Sequence, residues 1–163
     1  DGFKGITEFK KKGSDFVRHN GYIIINKYTG HRIYWEDFKK WREIEDLPDY
    51  IYKREFSKEE QEEHEGAAAK WDRLALNSPT QGSGIAILKL SMSLFFKWLC
   101  NEGYFNKVLL CNLVHDEAVV EYPKEMKDIV VPKLQYYMEK GASVLCKKLP
   151  IPCVPETGDH WIH

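Results

Sequence analysis

Residues 109 to 122, LLCNLVHDEAVVEY, set an imidazole and two carboxylates between two apolar runs. Leu109, Leu110, Leu113 and Val114 precede His115, Asp116 and Glu117, and Val119 and Val120 follow them, the pattern of two strands joined at a polar tip. A tight hairpin tip is normally made with Gly or Asn, because such turns need positive φ. Two readings stay open on these residues alone, a solvated turn and a cation site. Close carboxylates suit Mg²⁺, a hard ion that takes oxygen ligands and keeps water for a phosphate-bearing substrate. Zn²⁺ hydrolysis would want two or three clustered imidazoles, which the segment does not supply. Neighbouring residues in a strand point to opposite faces, so one of Asp116 and Glu117 should lead as ligand. Two-metal phosphoryl transfer, with ions about 4 Å apart, needs a further carboxylate on another segment. No second acidic residue ends an apolar strand convincingly, so the tip reads as half of a site.

The elements that must position this tip follow from spacing and punctuation, and they predict an α+β chain. Residues 3 to 19, with Phe3, Ile6, Phe9, Phe16 and Val17 among lysines, carry a helical period that Gly13 weakens. After Asn20 and Gly21 a hairpin is expected, Tyr22 to Asn26 pairing with Arg32 to Trp35 around Tyr28, Thr29 and Gly30. Its basic tip is either a phosphate contact or an ordinary solvated turn. Residues 36 to 56 predict a short helix, an interruption at Pro48 and an irregular aromatic segment. Ser57 with Glu60 is a capping-box signature, so a helix should start near Lys58 with an acidic first turn. His64 within that run is either a metal ligand or part of a solvated face.

That helix should break at Asn77, since Ser78 and Pro79 follow, and Pro79 should open a second helix ending near Gly103. The low side-chain bulk of Gln81, Gly82, Ser83 and Gly84 invites a close approach, by nucleic acid or by another helix. Beyond the tip, Pro123 should begin a loop, and Met126 to Leu145 a long helix kinked or split at Pro132. The proline-rich tail should hold one short strand near Cys153. Its His160 and His163 form an H-x-x-H too weak to argue a metal.

At 163 residues the chain is expected to form one domain, residues 1 to 56 carrying the first helix, hairpin and aromatic segment and residues 57 to 163 the long helices and the tip. With 24 Lys and Arg against 25 Asp and Glu, net charge gives no global sign of a nucleic-acid partner, so any such surface must be local. Cys100, Cys111, Cys146 and Cys153 show no C-x-x-C or finger spacing and read as free thiols of a reducing cytosol. No unbroken run of eighteen apolar residues exists, so no membrane span is expected. The start, DGFKG, is what an excised or processed piece would show.

Two segments in register then carry a resemblance. RLALNSPTQGSGIAILKLSM, residues 73 to 92, resembles the R-x-x-x-N-x-P-x-Q-G-T segment of family A DNA polymerases. LVHDEAVVE, about 25 residues on, resembles that family's motif C, V-H-D-E followed by an apolar residue. The closing GDHWIH is similar to its C-terminal G-x-x-W. The resemblance is strong from Arg73 onward and extends in weaker form to GYIIINKYTGHRIY. Ala86 stands where the family usually has Asp, Leu113 where many members have Gln, and Gly84 where Ala is common, none of them a metal ligand.

The resemblance implies the C-terminal part of a polymerase palm, an antiparallel hairpin bearing His115, Asp116 and Glu117 packed on long helices. Asp116 would be the metal-binding aspartate of a two-Mg²⁺ site, Glu117 a less direct contributor, and His115 a contact to the primer terminus. Lys70, Arg73, Asn77 and Gln81 would meet primer-template DNA. The second carboxylate, the motif A strand and the fingers helix that grips the deoxynucleoside triphosphate would lie outside this chain. The setting implied is the cytosol of a bacterium or a phage-infected host, away from membranes. A chain parted from those segments should expose an aromatic patch around Trp35, Trp41 or Tyr52. Two rivals predict differently. A non-catalytic DNA-binding or assembly module of polymerase-like shape binds DNA without Mg²⁺, and an autonomous metal hydrolase turns over alone.

Overall fold

A computed structural model describes residues 4–27 and 29–161. Phe3 of the first helix, Tyr28 of the hairpin turn and His163 of the terminal H-x-x-H lie outside them. The order is α1 (Lys4–Asn20), β1 (Tyr22–Asn26), β2 (His31–Tyr34), α2 (Phe38–Glu45), α3 (Asp49–Glu55), α4 (Lys58–Asn101), β3 (Leu109–Val114), β4 (Glu117–Glu121), a 3₁₀ turn at Lys124–Met126, and α5 (Lys127–Leu145). The chain is α+β, with two separate two-stranded antiparallel sheets, β1-β2 and β3-β4. It forms two compact units, residues 1–82 and 83–163, and the boundary falls inside α4.

In the first unit the core is aromatic. Val17, Ile23, Trp35, Trp41, Ala68, Trp71 and Ala75 are buried together. Trp35 stacks on Trp71 at 5.2 Å and lies 4.5 Å from Trp41. The expected exposed aromatic patch is therefore corrected: Trp35 and Trp41 are core, and Tyr52 is half-buried. The segment after Pro48 is also more regular than expected, because α3 forms there. His64 is mostly buried, and its Nε2 lies 3.7 Å from the Glu45 carboxylate. Its ring stacks on Trp41, and its Nδ1 lies 3.2 Å from the Tyr52 hydroxyl. Across α1 and α4, Arg18 grips Asp72 with two bonds, Nη2 to Oδ2 at 2.6 Å and Nε to Oδ1 at 3.1 Å, and Ser14 donates to the same carboxylate. Those bonds hold the Asp72 carboxyl below its usual range, Arg18 being the larger cause, and raise the Arg18 guanidinium.

The second unit packs Leu88, Met92, Phe95, Trp98 and Leu99 of α4 with Val108 and with Val130 of α5. Ser91 donates to the Met138 carbonyl at 3.1 Å, and a Cβ at Gly141 would overlap the Ser91 hydroxyl, so the two helices touch backbone to backbone there. β4 lays Ala118 and Val120 on this core, while Leu109, Leu110 and Leu113 of β3 stay exposed. α5 runs on through Pro132 instead of splitting. Among the described residues the tail forms no strand near Cys153, whose amide bonds the Glu139 carboxylate at 3.3 Å. All four cysteines are free, and Cys100 and Cys111 are exposed.

α4 confirms both ends of the sequence reading and overturns its middle. Ser57 and Glu60 exchange capping-box bonds at 2.8 and 3.2 Å, which hold the Glu60 carboxyl below its usual range. At the far end Gly103 takes φ +71°, and the Tyr104 amide reaches back to the Leu99 carbonyl at 2.8 Å, a Schellman closure. The predicted break at Asn77 to Pro79 is absent, and 44 residues form one helix. Proline removes the amide that would bond the Ala75 carbonyl. That oxygen faces Gly13, where a Cβ would stand 3.4 Å away, and a Cβ at Gly82 would overlap Ile25 and stand 3.0 Å from its carbonyl. Close packing on both sides of Pro79 thus holds the helix straight through the position where local preference would end it. One stretch of α4, although interrupted by polar residues, is by length and mean hydropathy of 1.4 apolar enough to cross a membrane. A core helix meets the same measure, and 33% of that stretch is buried here.

Candidate functional site

Val114 pairs with Glu117, so the β3–β4 turn consists of His115 and Asp116 alone. His115 has φ +53° and is the non-glycine residue with positive φ among the described residues. A two-residue turn with positive φ at its first central position is normally a glycine's place. A side chain there costs on the order of 1 to 2 kcal/mol. Strain of this kind persists where neighbours over-determine it, and it collects at functional sites. The surrounding strands supply that hold through five paired positions, with a register shift between Leu110 and Asn112.

The conformation lifts His115 and Asp116 to an exposed apex, and Glu117 begins β4, also exposed. Asp116 thus lies in the turn itself while Glu117 is already paired in β4. As a donor set, one aspartate with an adjacent glutamate fits Mg²⁺ that keeps most of its shell as water and phosphate oxygen. Among the described residues no group of three or more His, Cys, Asp or Glu gathers to hold a metal ion, so Zn²⁺-type ligation has no donor set.

The second set of expected residues lies on α4. Lys70, Arg73, Asn77 and Gln81 are spaced three, four and four apart, which puts them on one helix face, and all four are exposed. Their span is about 16 Å of axis. The opposite positions, Ala68, Trp71, Ala75, Ser78 and Gly82, are buried. Continuity through Pro79 is what keeps the four in line; the predicted break would have rotated Gln81 out of register with Arg73. The small residues at the start of the apolar half now divide. Gly82 is small because Ile25 lies against it, whereas Gly84 faces open space.

Sequence reasoning missed the Arg18–Asp72 clamp beside this face. The partners are 54 residues apart, and no local signal links them. Asp72 also immediately precedes Arg73, so the clamp fixes the turn of α4 from which Arg73 projects.

The family model described as DNA polymerase family A matches residues 1–163. Among curated relatives, DNA polymerase I of Caldicellulosiruptor bescii is 36% identical over 90 residues, 55% of this chain and 10% of that protein. DNA polymerase I of Aquifex aeolicus is 37% identical over 87 residues, 53% of this chain and 15% of the relative. That of Borreliella burgdorferi is 29% identical over 157 residues, covering 96% of this chain and 16% of the relative. The chain thus spans between a tenth and a sixth of the length of these relatives. Matched by the family model from its first residue to its last, the chain belongs to DNA polymerase family A.

Proposed function

We propose that this chain is the C-terminal palm segment of a DNA-directed DNA polymerase, with the β3–β4 tip as its motif C. The reaction is nucleotidyl transfer from a deoxynucleoside triphosphate to a primer 3′-hydroxyl. The observation that carries this reading is the two-residue turn, which holds His115 in a glycine-like conformation and sets Asp116 at an exposed apex. Asp116, supported by Glu117, would hold Mg²⁺, which when bound stabilises charge on the transferring phosphoryl group. A carboxylate from a preceding segment completes the ligand set. His115 contacts the primer terminus. The Lys70–Gln81 face meets primer-template DNA, where minor-groove acceptors present at every pair allow geometry to be checked without sequence choice.

Exposed Leu109, Leu110 and Leu113 support the incomplete-sheet part of this reading. A two-stranded sheet is marginal alone, and a long apolar edge invites another strand. Primer extension tests the assignment. The 163-residue chain alone should not extend a primer, and Asp116→Ala in the polymerase that contains it should lower extension by about 10³-fold or more, the effect of several kcal/mol of charge stabilisation. Extension at the parental rate by that variant would refute the metal role.

A further inference from the structure

We propose that the solvent-facing side of the β1–β2 hairpin is a stacking platform for the bases of single-stranded DNA. Alternation along the strands sends Ile23 and Ile33 into the aromatic core. It sends Tyr22, Ile24, Arg32 and Tyr34 the other way, with Tyr22 opposite Tyr34 and Ile24 opposite Arg32. A sheet face left to water is ordinarily polar. Here Tyr34 is 63% exposed and its ring lies 5.6 Å from Tyr22, which lies 5.3 Å from the exposed ring of Phe16. The Arg32 guanidinium sits 4.8 Å over Tyr22. Three rings in series beside a guanidinium offer what an unpaired base needs, since every base has a π-face and each stack is worth about 1 to 3 kcal/mol.

Charge selects the partner. Residues 1 to 40 carry nine Lys and Arg against five Asp and Glu, whereas the remainder of the chain carries fifteen against twenty. The platform therefore stands on the basic part of an otherwise acidic chain. Beside Tyr34 an open groove of about 430 Å³ is lined by Lys39 and Lys40 and, in equal number, by Glu36 and Asp37, so the phosphates of a stacked strand would meet the two lysines and Arg32 on the hairpin face itself. This surface is separate from the primer-template contacts proposed on α4 and does not depend on them.

The test is fluorescence anisotropy of a labelled oligothymidylate of about 12 nucleotides, within the usual site sizes, titrated with the full chain without Mg²⁺ or nucleotide. The parent should bind with a salt-dependent affinity. Tyr34→Ala should weaken binding by about 5- to 100-fold, and Tyr34→Phe should restore it to within about twofold, because the ring and not the hydroxyl stacks. Arg32→Ala should also flatten the salt dependence. Tyr136→Ala, which removes a comparably exposed ring from α5, should leave binding unchanged. The proposal is overturned if Tyr34→Ala binds like the parent, if the parent does not bind at about 50 mM salt, or if sedimentation shows that Tyr34→Ala abolishes self-association while oligothymidylate binding persists.

Discussion

The two hairpins solve the same problem in opposite ways. Both are antiparallel pairs with one shift in register, between Ile24 and Asn26 in the first and between Leu110 and Asn112 in the second. The first closes with residues suited to turning. The Asn26 side chain accepts the Thr29 amide at 3.0 Å, and Gly30 takes φ +70° at no steric cost. The second closes with His115 at φ +53° and has no glycine in its turn. The first hairpin is held from below by the tryptophan core and by Gly82 of α4, while the second leaves three leucines of β3 in water. Where a turn only has to reverse the chain, the sequence supplies the residues that do so cheaply. Where the turn is His115 and Asp116, the proposed metal-binding tip, it accepts a left-handed non-glycine residue.

The largest separation between the hairpins should appear in activity. In the polymerase that contains this chain, Asp116→Asn should lower primer extension by about 10³-fold with an unchanged melting temperature. Asn26→Ala should do the reverse, removing about 1 to 2 kcal/mol of stability as a buried turn bond is lost, with the residual folded protein fully active. If Asn26→Ala abolished extension at a temperature where the protein stays folded, the division into a structural turn and a chemical turn would fail.

Next in size is the support beneath each region. Gly82→Ala forces a methyl group into Ile25 and should cost about 1 to 3 kcal/mol by urea unfolding. Gly84→Ala, two residues on in the same helix, meets open space and should gain up to about 1 kcal/mol of helix propensity. Equal effects would mean that α4 does not pack on the first hairpin as described.

The turns themselves can then be exchanged. His115→Gly should stabilise the protein by about 1 kcal/mol by releasing the left-handed strain, while reducing extension. Gly30→Ala should destabilise it by a similar amount. The diagnostic result is the opposite signs, read from thermal melts of the two variants beside the parent. Destabilisation by His115→Gly would show that the imidazole holds the turn and does not strain it.

Such contrasts also mark what could be read from sequence. The capping box, the Gly103 terminus and the extents of both hairpins were legible because each is set by residues within a few positions of one another, Ser57 with Glu60 and Val114 with Glu117. Pro79 misled because its local preference is real and is outweighed by packing from Gly13 and Ile25, both more than fifty residues earlier. Trp35 and Trp41 looked destined for the surface because the residue that stacks on Trp35, Trp71, lies on a different element. At the site, the residue types and the helical spacing of Lys70, Arg73, Asn77 and Gln81 were legible. The continuity of α4 that aligns them and the φ of His115 were not.

The smallest predicted effect concerns acid, and it separates the regions by what holds them. In the folded protein the Asp72 carboxyl is depressed by bonds from Arg18 and then Ser14. The unfolded chain, with an ordinary value near 3.9, takes up its proton first as pH falls. The clamp's contribution is therefore fully present above about pH 4 and disappears as pH drops through the lower folded value. Both side chains are about one-third exposed, at 36% for Arg18 and 32% for Asp72, so screening keeps the contribution below about 1 kcal/mol. Urea midpoints of the parent and of Asp72→Asn should differ at neutral pH and converge as pH falls through the lower folded value. Convergence would assign the acid sensitivity to the Arg18–Asp72 tie between α1 and α4, and a gap constant across that range would assign the loss to packing instead.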